Sequence, residues 1–432
     1  MVAISSWGRL SKDHHHTQAL SHQHPIQAQL KNTRAGLAYG MGRSYGDVCL
    51  NPDGVLWKTT SLDRLIHFNE NTGRLVCEAG VLLRDIQRLF VPRGWTLPVT
   101  PGTLWVTVGG AIANDVHGKN HHIAGSFGNH VQRITLMRTD GSSIECGPTR
   151  LPEWFSATVG GIGLTGVITE ADIQLQKTPG PYLQTETIAF TQLREFFELA
   201  HHSEALWEHT VSWIDCRSKQ NGRGIFMRAN PSNVPNRAVL RQKNRTIPPL
   251  FPISVMNRLT LAPCNALYYH LKKRQEGHRL MHCESFLYPL DHVSHWNRMY
   301  GPRGFFQYQS VVPLAAGHDA IEDMLNQIKR AGVGSCLAVL KTFGAQASQG
   351  MLSFPQPGVT LALDFPNNGK KTHNLFQRLD TIVTEAHGRI YLAKDARMPK
   401  ALFESGYPRL SEFLHYRDAG ISSALSRRLM GN

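Results

Sequence analysis

The chain has 432 residues, 41% of them hydrophobic and 18% charged, with a net charge of +14. That length suits two domains with separate cores, and the composition excludes a disordered or fibrous protein. No apolar run reaches the ~18 residues of a membrane span, and seven scattered cysteines without CxxC spacing argue against a disulfide frame or a zinc site.

Residues 1–12 hold no apolar signal-peptide core, which points to the cytoplasm. The excess charge is local. Residues 216–275 contain 12 Lys and Arg and no Asp or Glu, which leaves 34 of the 46 basic residues against 32 acidic ones elsewhere. Such a stretch implies a local anionic partner rather than a generally basic protein.

In chain order, residues 1–30 carry His14, His15, His16, His22 and His24 among polar residues. They read as a solvated leader rather than a metal tract, with Trp7-Gly8-Arg9 the first part to dock. Residues 55–59 and 75–78 read as strands around the Asn71-Thr72-Gly73 turn, and 82–91 as an amphipathic helix. A hairpin turning on Asp140-Gly141 is expected over 131–138 and 143–146. A helix at 152–159 and a strand at 167–175 follow, and residues 177–181 read as a linker. Beyond it, strands at 185–190, 210–214, 286–290, 306–312, 336–341 and 359–365 alternate with helices at 193–200, 320–331 and 375–387. This predicts an α+β second domain over 179–387 with an antiparallel sheet flanked by helices. Within it, residues 216–275 are basic, Pro-rich and expected to be mobile. A helical tail starts at 400.

The unusual stretches are three glycine-rich segments in the first 170 residues: 40–46, 102–110 and 160–166. Closely spaced glycines let backbone N–H groups face an anion. The first segment lacks the Gly-Lys-Ser/Thr of a P-loop and the spacing of a dinucleotide fingerprint. Three in one domain suggest a long ligand with a diphosphate threaded between layers. Between them, residues 108–122 hold a Gly pair, small residues, Asp115, three His and Lys119, polar groups that are costly to bury unless they line a site.

Together, Gly-x-Gly-Arg-Ser-Tyr-Gly-Asp (40–47), Pro-Gly-Thr (101–103), Thr-Val-Gly-Gly-Ala-Ile (107–112), Asp-Val-His-Gly-Lys-Asn-His-His (115–122), Gly-Ser-Phe-Gly-Asn (125–129) and Gly-Gly-Ile-Gly-Leu-Thr-Gly (160–166) resemble the FAD-binding (PCMH-type) domain of the vanillyl-alcohol-oxidase-type flavoproteins. The segments 286–291, 306–309, 363–366 and 391–395 are similar to the branch of oxidases acting on decaprenylphosphoryl ribose. The resemblance implies a two-lobed FAD-binding domain over 1–178, completed by 388–432. It places FAD against Gly40, Met41, Gly42, Arg43, Ser44, Tyr45, Gly46, Asp47, Gly102, Thr107, Val108, Gly109, Gly110, Asn114, Asp115, Val116, His117, Val167, Ile168 and Tyr391. Members that attach FAD covalently commonly have His where this chain has Arg43. Arg offers no comparable nucleophilic nitrogen, so FAD is expected to be non-covalent.

By the same resemblance the reaction is oxidation of a sugar hydroxyl, the 2′-OH of a polyprenyl-phosphoryl pentose, to the keto form. It would be the first half of an epimerisation in cell-wall arabinose supply, completed by a nicotinamide-dependent keto-reductase. Such oxidation needs a hydride acceptor and removal of the hydroxyl proton. Lys394 and His117 are the expected catalytic residues. Lys119 is expected to meet the substrate phosphate or Asp115, and Tyr288, Gln309 and Lys341 to line the sugar pocket. His121 and His122 read as structural, and no metal is expected. Mycobacterial members carry a Cys where this chain has Ala362, which bears on pocket shape and thiol-directed inhibition rather than on the oxidation.

In the basic stretch, Leu250, Phe251, Ile253, Val255, Met256, Leu259 and Leu261 interleave with Pro and Arg. This suits peripheral contact with the inner face of a membrane bearing anionic lipids. No nucleic-acid recognition fold accompanies the charge. Two other readings stand beside the first: an oxygen-using oxidase of soluble sugar alcohols or aldonolactones, and a basic membrane- or nucleic-acid-binding protein without flavin chemistry.

Overall fold

A computed structural model of the protein describes residues 1–31, 34–218, 222–234, 245–248 and 254–431. It is α+β, built on three larger sheets beside two two-stranded ones. A four-stranded sheet takes the order Val2–Ile4, Asp13–Ala19, Val55–Lys58, Gly36–Tyr39, the last three strands parallel. A five-stranded antiparallel sheet runs Leu65–Asn69, Arg74–Glu78, Val167–Gln174, Val131–Met137, Ser143–Cys146. Its buried residues Leu75, Cys77, Ile134, Leu136, Ala171 and Ile173 share one core with the helices Leu83–Phe90 and Val108–Ala113.

The third sheet has eight antiparallel strands in the order Gly277–His282, Tyr182–Phe190, Gly224–Pro231, His209–Ile214, Ala338–Phe343, Gly358–Pro366, Phe305–Val312, Arg389–Ile390. Its two faces follow from the two-residue period of a strand. Phe306, Tyr308 and Val312, with Leu361, Leu363 and Phe365, join the core under the helices Leu193–Ser203, Leu314–Ala331 and Lys370–Glu385. Tyr308 donates to Asp380 of the last of these at 3.1 Å. The alternate residues, Gln307, Gln309, Thr360, Ala362 and Lys341, face the other way and line a cavity.

The C-terminal segment returns to the first sheet. Gly36 N–H donates to Gly420 O, and Ser422 N–H donates back to Gly36 O. Arg428 of the helix Ala424–Met430 pairs with both Asp47 and Asp395.

Three expectations are corrected. The histidine-rich leader is not a solvated tail, because Asp13–Ala19 is a strand on Val55–Lys58 and His15 is fully buried, its Nε2 accepting from Asn51 N–H at 3.1 Å. The expected strand at 286–290 is the helix Cys283–Leu287, begun by His282 and followed by a single turn at Pro289–His292. A short apolar run does not distinguish strand from helix, and Pro289 cannot donate to a ladder. The basic stretch is more regular than its prolines suggest. It supplies the central strand Gly224–Pro231 and the sixteen-residue helix Arg258–Lys273, while residues 219–221, 235–244 and 249–253 lie outside the described residues. The expected lipid-facing residues Leu250, Phe251 and Ile253 fall there too. Val255 and Met256 are half-buried and Leu261 is buried, so of the described members only Leu259 is exposed.

Candidate active site

A cavity of about 910 Å³ opens between the glycine-rich segments and the free face of the large sheet, within the size range of cofactor and ligand sites. All three glycine segments reach its wall, through Gly40 and Gly42, through Gly102, Gly109 and Gly110, and through Gly163 and Gly166. The local chemistry explains the convergence. Thr107 caps the helix Val108–Ala113 by accepting from Gly110 N–H at 3.1 Å. Gly40 lies so close to that cap that a Cβ there would stand 2.6 Å from Thr107 Oγ1. Residues 160 and 162 splint the helix from behind, donating to Ile112 O and Ala113 O.

Opposite the glycines stands a cluster of nitrogen groups. Lys341 Nζ lies 3.2 Å from His117 Nδ1 and donates to Gly118 O at 3.0 Å, while the Gln309 amide meets His117 Nε2 at 2.9 Å. A neutral imidazole has one N–H. With that N–H on Nδ1, the Gln309 amide nitrogen, which also reaches Thr360 Oγ1 at 3.4 Å, donates to Nε2. The imidazole is boxed by Phe343 at 4.9 Å and Tyr391 at 5.5 Å. Burial first, then the charge of Lys341, holds it well below the usual histidine range. Burial and Lys394 push Lys341 down to about 7.

Lys394 Nζ sits 3.7 Å from the centre of the Tyr45 ring, a cation–π contact. Burial lowers its ammonium, opposed by the charge of Asp364, whose carboxyl burial raises in turn. Asp364 is fully buried. Its Oδ1 accepts from Gln307 at 2.5 Å, and its Oδ2 has no protein partner. Tyr391 donates to Asn114 O at 2.9 Å and stacks on Phe354 at 4.6 Å. The Arg43 guanidinium lies 4.4 Å from the Trp7 ring centre, which brings the N-terminal segment onto the cavity wall.

Of the cofactor residues expected from sequence, Gly40, Met41, Gly42, Arg43, Ser44, Tyr45, Gly102, Thr107, Gly109, Gly110, Asn114, Val116, His117, Ile168 and Tyr391 line this cavity. So do Lys119, Gln309, Lys341 and Lys394. The others do not. Asp115 is fully buried, accepting from Ser126 Oγ at 2.9 Å, Gly128 N–H at 2.8 Å and Ser353 Oγ at 2.5 Å, so it joins two parts of the fold. The Asp47 carboxylate is taken by Arg428. Gly46 touches the C-terminal segment, where a Cβ would stand 1.5 Å from Asp395 O. Val108 and Val167 are core residues, and Val108 N–H donates to Val81 O at 2.9 Å. Tyr288, expected in the sugar pocket, is buried off the wall, its hydroxyl 2.7 Å from Thr100 Oγ1 and 3.4 Å from Gln87 Nε2. Lys119 stands on the cavity wall and does not meet Asp115. It donates to the carbonyls of Phe286 and Leu287 at the end of a short helix, where a cation is favoured.

His122 donates to Trp207 O at 2.8 Å, a structural role as expected. His121 is buried with no partner on either ring nitrogen, and burial pushes it down to about 3. Asp364 and Gln307 were not singled out in the sequence. Their signal is the strand alternation, which puts both on the cavity-side face while Leu363 and Phe365 go to the core. Among the described residues no group of three or more His, Cys, Asp or Glu is placed to hold a metal.

A family model for the FAD binding domain matches residues 26–147. The chain is 36% identical over 416 residues to decaprenylphosphoryl-β-D-ribose oxidase of Mycolicibacterium smegmatis, covering 92% of this chain and 89% of the relative. A Streptomyces coelicolor protein described only as uncharacterised is 30% identical over 375 residues, 81% of this chain and 100% of its own length. Cytokinin dehydrogenase 8 of Oryza sativa subsp. indica is 29% identical over 154 residues, 33% of this chain and 29% of that protein. With a cofactor cavity walled by the glycine segments and near end-to-end similarity to the first relative, the chain belongs to the FAD-dependent oxidoreductases of the vanillyl-alcohol-oxidase, PCMH-type family that includes decaprenylphosphoryl-β-D-ribose oxidase.

Proposed function

We propose that the protein oxidises the 2′-hydroxyl of a polyprenyl-phosphoryl pentose to the keto form, for a separate nicotinamide-dependent reductase to complete the epimerisation. The observation that carries this reading is the convergence of Lys341, Gln309, His117 and Lys394 on the cavity that the glycine segments wall. Support for the substrate class is the name of the 36% identical relative, a decaprenylphosphoryl-β-D-ribose oxidase, which matches over nearly the whole chain. In this reading residues 1–178, completed by 388–432, hold the cofactor, and 179–387 present the sugar.

The residues present fit FAD. The glycine walls leave backbone open to the cavity, with no atom within 4 Å of a Cβ at Gly102 or Gly163, and the buried Oδ1 of Asn114 is left without a protein partner. Bound there, FAD supplies the hydride acceptor for the alcohol carbon. Arg43, Met41 and Ser44 hold it by contact alone, so denaturation in acid is expected to release all the flavin into the supernatant; flavin retained on the precipitated chain would contradict this.

Lys394 places the hydroxyl and takes its proton, because burial makes the neutral amine accessible. His117 has both nitrogens engaged by Gln309 and Lys341 and acts as a positioning residue. Lys341 meets an anionic group of the substrate. Its pKa is lowered, so it is charged below about 7 and loses that charge as pH rises through it; a bound anion moves the midpoint upward. The KM for a sugar phosphate is therefore expected to rise between about pH 6 and 9, and Lys341→Met to flatten the dependence. A wild-type KM independent of pH would remove Lys341 from anion binding. The reaction itself is tested by anaerobic flavin bleaching with prenyl-phosphoryl pentoses.

A further inference from the structure

The cavity has a limb that the oxidation does not use. From Lys341 it crosses successive strands of the large sheet, past Trp213, Met227 and Met281, and reaches beneath the helix Arg258–Lys273, where Tyr268 and Lys272 line it. Thr185, Thr187, Gln275 and Arg279 also line it, and its methionines and aromatic faces suit a flexible apolar chain.

The outer face of the same helix is also apolar. Leu259, Pro263, Leu267 and Leu271 recur every fourth residue and fall within an arc of about 120°. Leu259 is 86% exposed, Leu267 62% and Leu271 47%. Lys273, Arg274 and Arg279 are exposed beside this stripe, and no acidic residue occurs from 258 to 275. The first acid, Glu276, is occupied in accepting from Ala189 N–H at 2.7 Å. Exposed leucines with cations gathered at one end of the stripe match an anionic lipid surface in both apolarity and charge. Among the described residues no helix is long and apolar enough to cross a membrane.

We propose that the helix Arg258–Lys273 docks on an anionic lipid surface, and that the limb beneath it takes the apolar chain of a lipid-linked substrate from that surface. The helix is then the roof of the limb and the contact with the lipid at once. Tyr268 and Lys272 mark where the two meet. The chain-binding half of this inference rests on the polyprenyl-phosphoryl reading; the docking half does not.

The test uses the full chain loaded with FAD and sedimented with phosphatidylcholine vesicles, with and without phosphatidylglycerol. Wild-type protein is expected to partition onto the anionic vesicles. The variant Leu267→Glu/Leu271→Glu, which touches neither cofactor nor cavity wall, is expected to lose at least about tenfold in partition while its flavin spectrum is unchanged. Lys273→Ala/Arg274→Ala is expected to lose the preference for phosphatidylglycerol. Equal partition of wild type and the leucine variant overturns the proposal. So does a wild-type dimer that the leucine variant converts to monomer without any change in vesicle binding, since the stripe then belongs to a second copy. No substrate enters this assay, so its failure is distinct from failure of the oxidation reading, which bleaching by a short-chain, water-soluble prenyl-phosphoryl pentose reports separately.

Discussion

Lys394→Ala is expected to purify yellow, with FAD bound, and to be reduced by substrate about 10²–10⁴-fold more slowly than wild type. The retained colour follows from the many other residues that wall the cofactor cavity, the glycine segments among them. The lost rate follows from what the lysine uniquely offers. It lies against the Tyr45 ring, is desolvated, and shares its charge balance with the buried carboxyl of Asp364. Lys394→Arg is expected not to rescue, because a guanidinium stays protonated and cannot accept the hydroxyl proton. Asp364→Asn should leave flavin binding intact and move the pH profile of reduction, since it removes the charge that opposes deprotonation of Lys394. Single-turnover reduction, followed by flavin absorbance, measures all three. An unchanged rate in Lys394→Ala would remove the residue from the chemistry.

Arg428→Ala is expected to lower stability by about 3–5 kcal/mol, although the residue lies outside the cavity wall. Its guanidinium donates to Asp47 at 2.9 and 3.0 Å, to Asp395 at 2.8 Å and to Met398 O at 2.8 Å. Asp395 is almost fully buried, so truncation leaves its carboxylate with the N–H groups of Arg397 and Met398 but without its paired cation, next to Lys394. Urea denaturation of the FAD-free protein reads the loss. A second readout separates positioning from folding: the FAD-loaded variant should be reduced more slowly than wild type at a temperature where both remain folded. A midpoint equal to wild type would show that the C-terminal helix does not clamp the Tyr391–Lys394 segment.

The parts of this site that were legible in sequence are those whose chemistry is local. The turn on Asp140-Gly141, the helix Leu83–Phe90 and the strands Phe305–Val312 and Gly358–Pro366 carry their own turn residues or periodicity. The glycine segments were legible because few other uses need so many glycines beside small residues. What was hidden depends on partners far along the chain. Asp13–Ala19 is almost wholly polar, and only its pairing with Val55–Lys58 and the bond from Asn51 to His15 make it a strand. Asp47 and Asp115 sit inside motif-like runs, yet their oxygens are used by Arg428, Ser126 and Ser353, and no local pattern shows that. Tyr288 sits beside a proline in an apolar run that could be strand or helix. As a short helix, the run turns the phenol toward Gln87 and Thr100 and away from the cavity.

The central claim is the substrate, and anaerobic titration of the FAD-loaded protein tests it most directly. Stoichiometric loss of the visible flavin absorbance with a prenyl-phosphoryl pentose, and little or none with free alditols or aldonolactones, is the result predicted here. Bleaching by the free sugars alone, with hydrogen peroxide released on admitting air, would contradict it and make the protein a soluble sugar oxidase.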